Sequence, residues 1–491
     1  MDQSHPRPRR TAMWILIILG SLLLLAVIGF IYSFGFEVGS IKKPVSSTPA
    51  WDEAKYRSPK NPYRHYEAAM RLLPKYDADI LSKYYQQKVT GVPEGEQLVP
   101  QREVEISLAN IAPAIDEVMA GAKCSVNDFQ FVQKPASFKT LFPEFSNLRS
   151  LARAVLVDAN YKMDQGKPRQ GLEESLALVD MGNGTSGGIA IASLVGYAIK
   201  NMAYNTIHKA IGKPGLGVED YRKIAKRLEK ADAERLTLRE VMEGEYLFSR
   251  GSLLEILQMG PKELEQMGLD IGGGPNVTFA YLSIPGNKKR TVGNFDQAWS
   301  VILEYAEKPY PTAVTLDASQ LVPSTDLINR VLISDWNGLF RKNVEDLALN
   351  RGIMLMAALE AFRLEKGQYP NALSALAAGG YISKPPDDPF TDNKPFRYIK
   401  KGSKYLLYSI GPDLSDEGGS AVIPYSKIDA ANRGDIVFSP GLNIWQKPQT
   451  ISQSALQAGP WGRGGPGTRG SAPRGGRMGG RMGGGGRMRG R

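Results

Sequence analysis

The chain has 491 residues, of which 42% are hydrophobic, and this is enough for at least one packed core. Its net charge of +11 is uneven, because eight Arg and no acid lie in residues 458–491, which leaves the rest of the chain at +3. The single cysteine, Cys124, excludes an internal disulfide and a Cys-rich zinc site. The three histidines, His5, His65 and His208, leave little material for a His-based metal centre or a hydrolase triad.

The first predicted element is a membrane-spanning helix. It follows a basic leader at 1–12 and occupies residues 13–36, which contain no charged side chain. About 20 apolar residues cross a bilayer core of roughly 30 Å. A cleavable signal peptide is the alternative, but the run is too long and lacks a small-residue exit. Arg7, Arg9 and Arg10 favour a cytoplasmic N-terminus, so the sequence predicts a single-pass inner-membrane protein with its bulk in the periplasm or outside.

A linker rich in Pro and Ser is predicted at 37–60, and an all-α domain at 61–340. Apolar residues recur at three- and four-residue spacing from Leu148 to Leu156, which is typical of one buried helix face. Gln165 to Pro168 interrupt this pattern, and a second stripe starts at Leu172, so a helical hairpin is expected. The hairpin is slightly similar to a tetratricopeptide unit. No repeat of fixed period accompanies it, which favours an irregular bundle.

A small α+β domain is predicted at 341–445. Its helix covers Val344 to Lys366 and is apolar on much of its circumference, with Gly367 marking the end. Strands are expected at Phe396–Lys400, Tyr405–Ile410 and Asp435–Ser439. The predicted fold class is therefore mixed: an N-terminal transmembrane helix, an all-α domain, and a helix packed on a small antiparallel sheet.

Four segments of this region carry a family resemblance. In chain order they are ALEAFRLEKGQYP, PPDDPFTDNKPFRYI, YLLYSIGPDLSDEGG and RGDIVF. This order resembles the major pseudopilin of the type II secretion system, which has a Gly-x-Tyr-Pro turn, an Asp-Pro-aromatic segment, a Tyr-Ser-hydrophobic-Gly strand end and an acid-rich loop. The resemblance extends from Asn350 to Ser439, about 90 of 491 residues.

The N-terminal region departs from that family. The family has a Gly-Phe processing site and a Glu close behind it, and its membrane helix continues directly into the helix of the head. Residues 13–36 have no Gly-Phe processing pair at their start and contain no Glu, and about 310 residues separate them from the helix that starts at Val344. The resemblance thus implies a head borrowed from the family and not a filament subunit.

The acidic loop of YSIGPDLSDEGG has two interpretations. The resemblance implies a Ca²⁺ site in which Asp413, Asp416, Glu417 and the downstream Asp435 are ligands. Ca²⁺ takes six to eight oxygens, and clustered carboxylates repel one another unless a cation neutralises them. The alternative is a solvated turn that ends in Gly-Gly, whose acids Lys427 or Arg433 could neutralise. Ca²⁺ is the one cofactor that the sequence suggests.

Residues 446–491 form a predicted disordered tail, in which positions 458–491 hold 15 Gly and eight Arg. Such a segment can bind polyanions, namely acidic lipid, an envelope polymer or nucleic acid, and the last is the least favoured for a protein outside the cytoplasm. A solubilising extension is the alternative. The candidate polyanion-binding residues are Arg463, Arg469, Arg474, Arg477, Arg481, Arg487, Arg489 and Arg491.

The sequence therefore predicts a membrane-anchored, non-enzymatic structural or accessory component related to type II secretion. Its expected partners are the membrane and proteins of the envelope or secretion apparatus, and no small-molecule substrate is evident. A polyanion-binding protein that acts through its tail is the alternative. An enzyme is disfavoured, because no His, Cys or Ser constellation with catalytic spacing occurs.

Overall fold

The computed structural model describes residues 57–125, 143–267, 275–333, 336–420 and 434–440. Within these ranges the chain is mainly helical and has one small sheet. The helices of the first half are α1 Pro62–Leu72, α2 Lys75–Thr90, α3 Gln101–Asn110, α4 Ala112–Gly121, α5 Pro143–Asp164, α6 Pro168–Thr185, α7 Ala190–Ala210, α8 Val218–Ala233 and α9 Leu238–Ile256. Those of the second half are α10 Pro261–Met267, α11 Pro275–Ser283, α12 Asn287–Tyr305, α13 Tyr310–Ala313, α14 Asn329–Leu332, α15 Asn337–Lys366 and α16 Ser374–Ala378, with a 3₁₀ turn at Ala318–Leu321. The strands are β1 Arg397–Lys401, β2 Lys404–Ser409 and β3 Ile436–Phe438.

Local side-chain chemistry sets several helix limits. The Asn61 side chain accepts a hydrogen bond from the Tyr63 amide and caps α1. Thr237 and Glu240 form a reciprocal capping box at the start of α9. Helix α15 ends where Gly367 adopts a left-handed conformation with φ of 76°, which confirms the predicted end of that helix.

The predicted helical hairpin is confirmed. Helix α5 ends at Asp164 and α6 begins at Pro168, so the break lies at the predicted residues. Proline suits the first turn of α6, since its missing amide hydrogen would have no partner within the helix there. The two helices pack against each other and against α7.

The three strands form an antiparallel sheet in the order β1-β2-β3. A tight turn pairs Lys401 with Lys404 and places Arg397 opposite Tyr408, and Ser409 pairs with Ile436 on the other side of β2. The predicted hairpin and third strand are thereby confirmed. Tyr405 and Leu407 of β2 face the main core, whereas Leu406 and Tyr408 pack with Val437 on the opposite face.

Helix α15 joins two hydrophobic cores. The larger core extends from Tyr66 of α1 to Phe438 of β3 and includes α15 residues from Val344 to Ala361. The smaller core surrounds Trp299 of α12 and includes Leu339 and Phe340 from the start of α15. Over its 30 residues the helix contacts α7 and α8 as well as β2 and β3.

The predicted fold class is wrong. An all-α domain followed by an independent α+β unit would keep two separate cores, but the sheet shares its core with the helices of the first half. The physical reason is that α15 buries side chains around most of its circumference, so a single sheet cannot cover it. The described chain up to Phe438 is instead a helical protein with a small sheet attached to its main core.

The predicted membrane anchor and localisation are contradicted as well. Among the residues that the structure describes, no helix combines the length and apolar character that a bilayer crossing requires. The predicted span at 13–36 lies outside the described residues. The transmembrane helix, the signal anchor and the single-pass inner-membrane location are therefore withdrawn.

Candidate functional site

The segments that carry the family resemblance contact one another through Asp388 of the Asp-Pro-aromatic segment. Its Oδ1 accepts hydrogen bonds from Ser409 Oγ at 2.7 Å and from the Phe390 amide at 3.1 Å. Its Oδ2 accepts one from the Ile410 amide at 3.1 Å. Burial raises the pKa of Asp388, and these hydrogen bonds counteract part of the rise. The Asp-Pro-aromatic segment is thus fixed to the end of strand β2.

The Gly-x-Tyr-Pro turn after α15 contacts the same sheet. Tyr398 of β1 donates a hydrogen bond from its hydroxyl to the Pro370 carbonyl at 2.7 Å. The Tyr369 ring packs edge-on against Tyr405 of β2, with ring centres 4.8 Å apart. Residues 337–420 and 434–440, here called the head, therefore assemble around α15 and the sheet.

The acidic loop leaves β2 through a sharp turn. Gly411 has φ of 74°, and an added Cβ would lie 3.0 Å from the Gly434 carbonyl oxygen, so glycine suits this position. Asp413 Oδ1 accepts from the Ser415 amide at 3.4 Å, and its Oδ2 accepts from the Gly434 amide at 3.3 Å. Asp413 thereby connects the beginning of the loop to the start of β3.

Asp416 is paired with side chains of the hairpin. Its Oδ2 accepts from Arg397 Nε at 3.0 Å, and its Oδ1 accepts from the Tyr408 hydroxyl at 2.9 Å and the Gly418 amide at 3.0 Å. Burial alone would raise the pKa of Asp416, but the Arg397 and Gly418 hydrogen bonds outweigh it and lower the pKa below its ordinary value. This carboxylate is neutralised by the protein itself.

Asp435 and Glu417 differ from Asp416, because each keeps one carboxylate oxygen without a hydrogen-bond partner among the described residues. Asp435 is fully buried, and its Oδ2 accepts from the amides of Gly419 at 2.8 Å and Ser420 at 3.1 Å. Within the described residues its Oδ1 has no hydrogen-bond partner, and neither has the buried Oε2 of Glu417. Burial raises the pKa of Asp435 to about 6, and the negative charge of Glu417 adds to the rise. Among the described residues, two buried carboxylate oxygens of the loop thus have no donor, which is costly in the absence of a cation.

These positions bear on the predicted Ca²⁺ ligands. In the described ranges, no group of three or more His, Cys, Asp or Glu side chains is arranged to hold a metal ion. Asp416 is bound to Arg397, whereas Asp435 and Glu417 each keep an oxygen that a cation could take. Ca²⁺ also accepts main-chain carbonyl oxygens and water as ligands. The donor chemistry fits Ca²⁺ for Asp435 and Glu417, with Asp416 outside the set.

The sequence interpretation missed Arg397. Lys427 and Arg433, which it considered as neutralising residues, lie outside the described residues. Arg397 precedes Asp416 by 19 positions, but the hairpin turn at residues 401–404 pairs it with Tyr408, and both side chains reach Asp416. Extending the predicted hairpin register back from the turn would have found this pair.

The candidate polyanion-binding residues have no structural description. All eight lie in the tail, outside the described residues: Arg463, Arg469, Arg474, Arg477, Arg481, Arg487, Arg489 and Arg491. The tail interpretation stays a prediction.

Comparison with known proteins gives no family. No family model, no curated protein and no solved structure matches this chain.

Proposed function

We propose that this chain is a non-enzymatic accessory component related to type II secretion, in which a pseudopilin-like head presents a Ca²⁺-stabilised loop to protein partners. The observation that carries the proposal is the acidic loop between β2 and β3, where the buried Asp435 and the half-buried Glu417 each hold one carboxylate oxygen without a donor among the described residues. The contacts of Asp388 and Tyr398 support it, since they join the segments that resemble the family.

Ca²⁺ would supply charge neutralisation and not chemistry. Asp435 and Glu417 would provide carboxylate oxygens, and the loop would add main-chain oxygens. Asp416 stays with Arg397, which keeps the neighbouring part of the loop in place without metal. A cation at Asp435 would favour the ionised carboxylate and bring its raised pKa down.

Calcium titration of the full chain near neutral pH tests the site. We expect saturable binding by calorimetry and a rise of a few degrees in melting temperature, because a ligand at about 100 times its dissociation constant adds about 2.7 kcal/mol. Asp435→Asn should abolish both responses and still fold, since its amide removes a buried charge. The matched control is Asp392→Asn, which changes an exposed carboxylate of the head and should keep the wild-type response. Equal Ca²⁺ responses in the wild type and in Asp435→Asn would refute the site.

A binding assay tests the partner class separately. Purified full chain is immobilised and exposed to the pseudopilins of the same organism, with Ca²⁺ and with chelator. We expect association that chelation weakens. If the pseudopilins do not bind under either condition, the secretion role fails, whatever the calcium titration shows.

A further inference from the structure

A second polar site lies in the helical part, far from the head in sequence. A cleft of about 330 Å³ opens between α3, α4 and the C-terminal end of α5. Leu108, Ala112 and Ile115 give it an apolar wall, and Asp158 and Lys162 of α5 line the opposite side. Its volume is within the range of small-molecule sites, which starts at about 300 Å³.

The charged side of the cleft has more carboxylate than ammonium. Lys162 Nζ lies 2.6 Å from Asp158 Oδ2 and is also hydrogen-bonded to Glu174 Oε1. The side chain of Glu174 is only 6% exposed, and its Oε2 has no hydrogen-bond partner in the described part of the chain. One ammonium group therefore serves two buried carboxylates.

The rim of the cleft is also acidic. Glu105 and Asp116 line it and are exposed, and Tyr161 donates a hydrogen bond to Glu105 at 3.3 Å. Lys167 is the second basic residue of the lining. Three carboxylates and two ammonium groups thus line the cleft beside the apolar wall, and Glu174, which lies behind Lys162 and not in the lining, neutralises part of the Lys162 charge.

We propose that this cleft binds a small aliphatic amine cation. The alkyl chain would lie on the Leu108 and Ile115 side, and its ammonium groups would contact Asp158 and the rim carboxylates. An apolar wall beside an excess of carboxylate matches a molecule that is itself part alkyl and part cation. A bare metal ion would leave the wall unused. This site is independent of the calcium loop and of the proposed secretion role.

Calorimetric titration of the full chain at about pH 8 with 1,5-diaminopentane tests the proposal, with 1,5-pentanediol as an uncharged probe of the same length. We expect saturable binding of the diamine only. Asp158→Asn should lower the affinity about tenfold or more, the loss that accompanies one charged hydrogen bond to the ligand. Glu174→Gln should also lower it, because Lys162 would then neutralise Asp158 alone.

Glu173→Gln is the matched control. Glu173 is the neighbouring residue on α6, but it pairs with Lys223 at 2.6 Å, whereas Glu174 pairs with the cleft residue Lys162. The affinity of the Glu173→Gln variant for the diamine should therefore equal that of the wild type. Circular dichroism shows whether each variant is folded. Binding of the diol as tight as that of the diamine, or no saturable heat with the folded wild type, overturns the proposal. Unchanged diamine affinity in folded Glu174→Gln and Asp158→Asn would overturn it too.

Discussion

Glu174 of α6 is buried. Its carboxyl group lies beside the ammonium group of Lys162, which favours the ionised form, and the carboxylate of Asp158, which opposes it. Lys162 hydrogen-bonds to its Oε1, while the negative charge of Asp158 acts on the same carboxyl group. Burial, followed by the Asp158 charge, raises the pKa of Glu174 to about 7 from an ordinary value of 4.5. The Lys162 interaction offsets only part of this rise in the pKa, so ionisation of Glu174 destabilises the folded state.

The raised pKa of Glu174 makes the free energy of unfolding depend on pH. Below pH 4.5 the carboxyl is protonated in both the folded and the unfolded chain. As the pH rises toward 7, the unfolded chain ionises first, so the free energy of unfolding falls. We expect the wild type to lose about 3 kcal/mol relative to Glu174→Gln between pH 4.5 and about 8. Urea unfolding of both proteins at several pH values measures this difference.

The Glu173→Gln variant is again the control, because the half-exposed Glu173 pairs with Lys223 at the surface. Its unfolding free energy should follow the wild-type pH curve. Parallel curves for the wild type and Glu174→Gln would show that the Glu174 carboxyl is not perturbed.

At the scale of elements, helix α15 approaches strand β3 at Gly352. A Cβ added there would overlap with the ring of Phe438, which is fully buried. Phe438 also packs against Phe396, with ring centres 6.1 Å apart, so the ring has little room to move. The missing side chain at Gly352 is therefore what lets the helix lie against the sheet.

Gly352→Ala should destabilise the protein by about 1–3 kcal/mol, the usual cost of overpacking a core, even though alanine is the better helix former. Gly338→Ala is a matched control in the same helix, because nothing lies within 4 Å of a Cβ added at that position. It should leave stability unchanged or raise it by up to about 1 kcal/mol. Chemical denaturation of both variants gives the comparison. A Gly352→Ala protein as stable as Gly338→Ala would contradict the close approach.

Several elements could be predicted from the sequence because their signals are local. Gly367 ends α15, Pro168 starts α6, and the turn after Lys401 pairs β1 with β2 as expected. The contact between Gly352 and Phe438 could not be predicted, since the residues are 86 positions apart and neither has a local reason for its identity. Only the packed helix and sheet give that reason.

At the scale of the whole molecule, α15 binds the helical part through buried polar contacts. Asp346 accepts a hydrogen bond from the fully buried Lys200 of α7 at 2.6 Å. Asn350 donates to the Leu228 carbonyl of α8 at 2.9 Å, and Arg351 pairs with Asp232 at 2.8 Å. These groups would be left without partners if the head were separated from the rest.

A fragment of residues 341–445, the boundaries predicted for the α+β domain, should therefore not fold alone. We expect low dispersion in its amide NMR spectrum and no cooperative thermal transition, whereas the full chain melts cooperatively. The physical reason is the loss of the core around α15 together with the orphaned polar groups of Asp346 and Asn350. A cooperative melt of the isolated fragment would contradict a shared core.

One feature of the sequence indicates the shared core, although it was assigned to the helix of a separate α+β domain. The run VEDLALNRGIMLMAALEAFRLEK is apolar on much of its circumference, which indicates burial on all sides. The sequence could not show which helices cover it, because the pairs of Lys200 with Asp346 and of Tyr204 with Asn350 each join residues 146 positions apart. Charged residues at such distances have no pattern that distinguishes a buried pair from two solvated side chains.

The 30-residue span of α15 has a mechanical consequence. At 1.5 Å per residue it is a rod of about 45 Å, and its buried side chains extend from Leu339 to Ala361. Leu339 and Phe340 lie in the core around Trp299, and later residues of the helix lie in the core that includes the sheet. A force that a partner applies to the sheet would therefore reach the core around Trp299 through this helix.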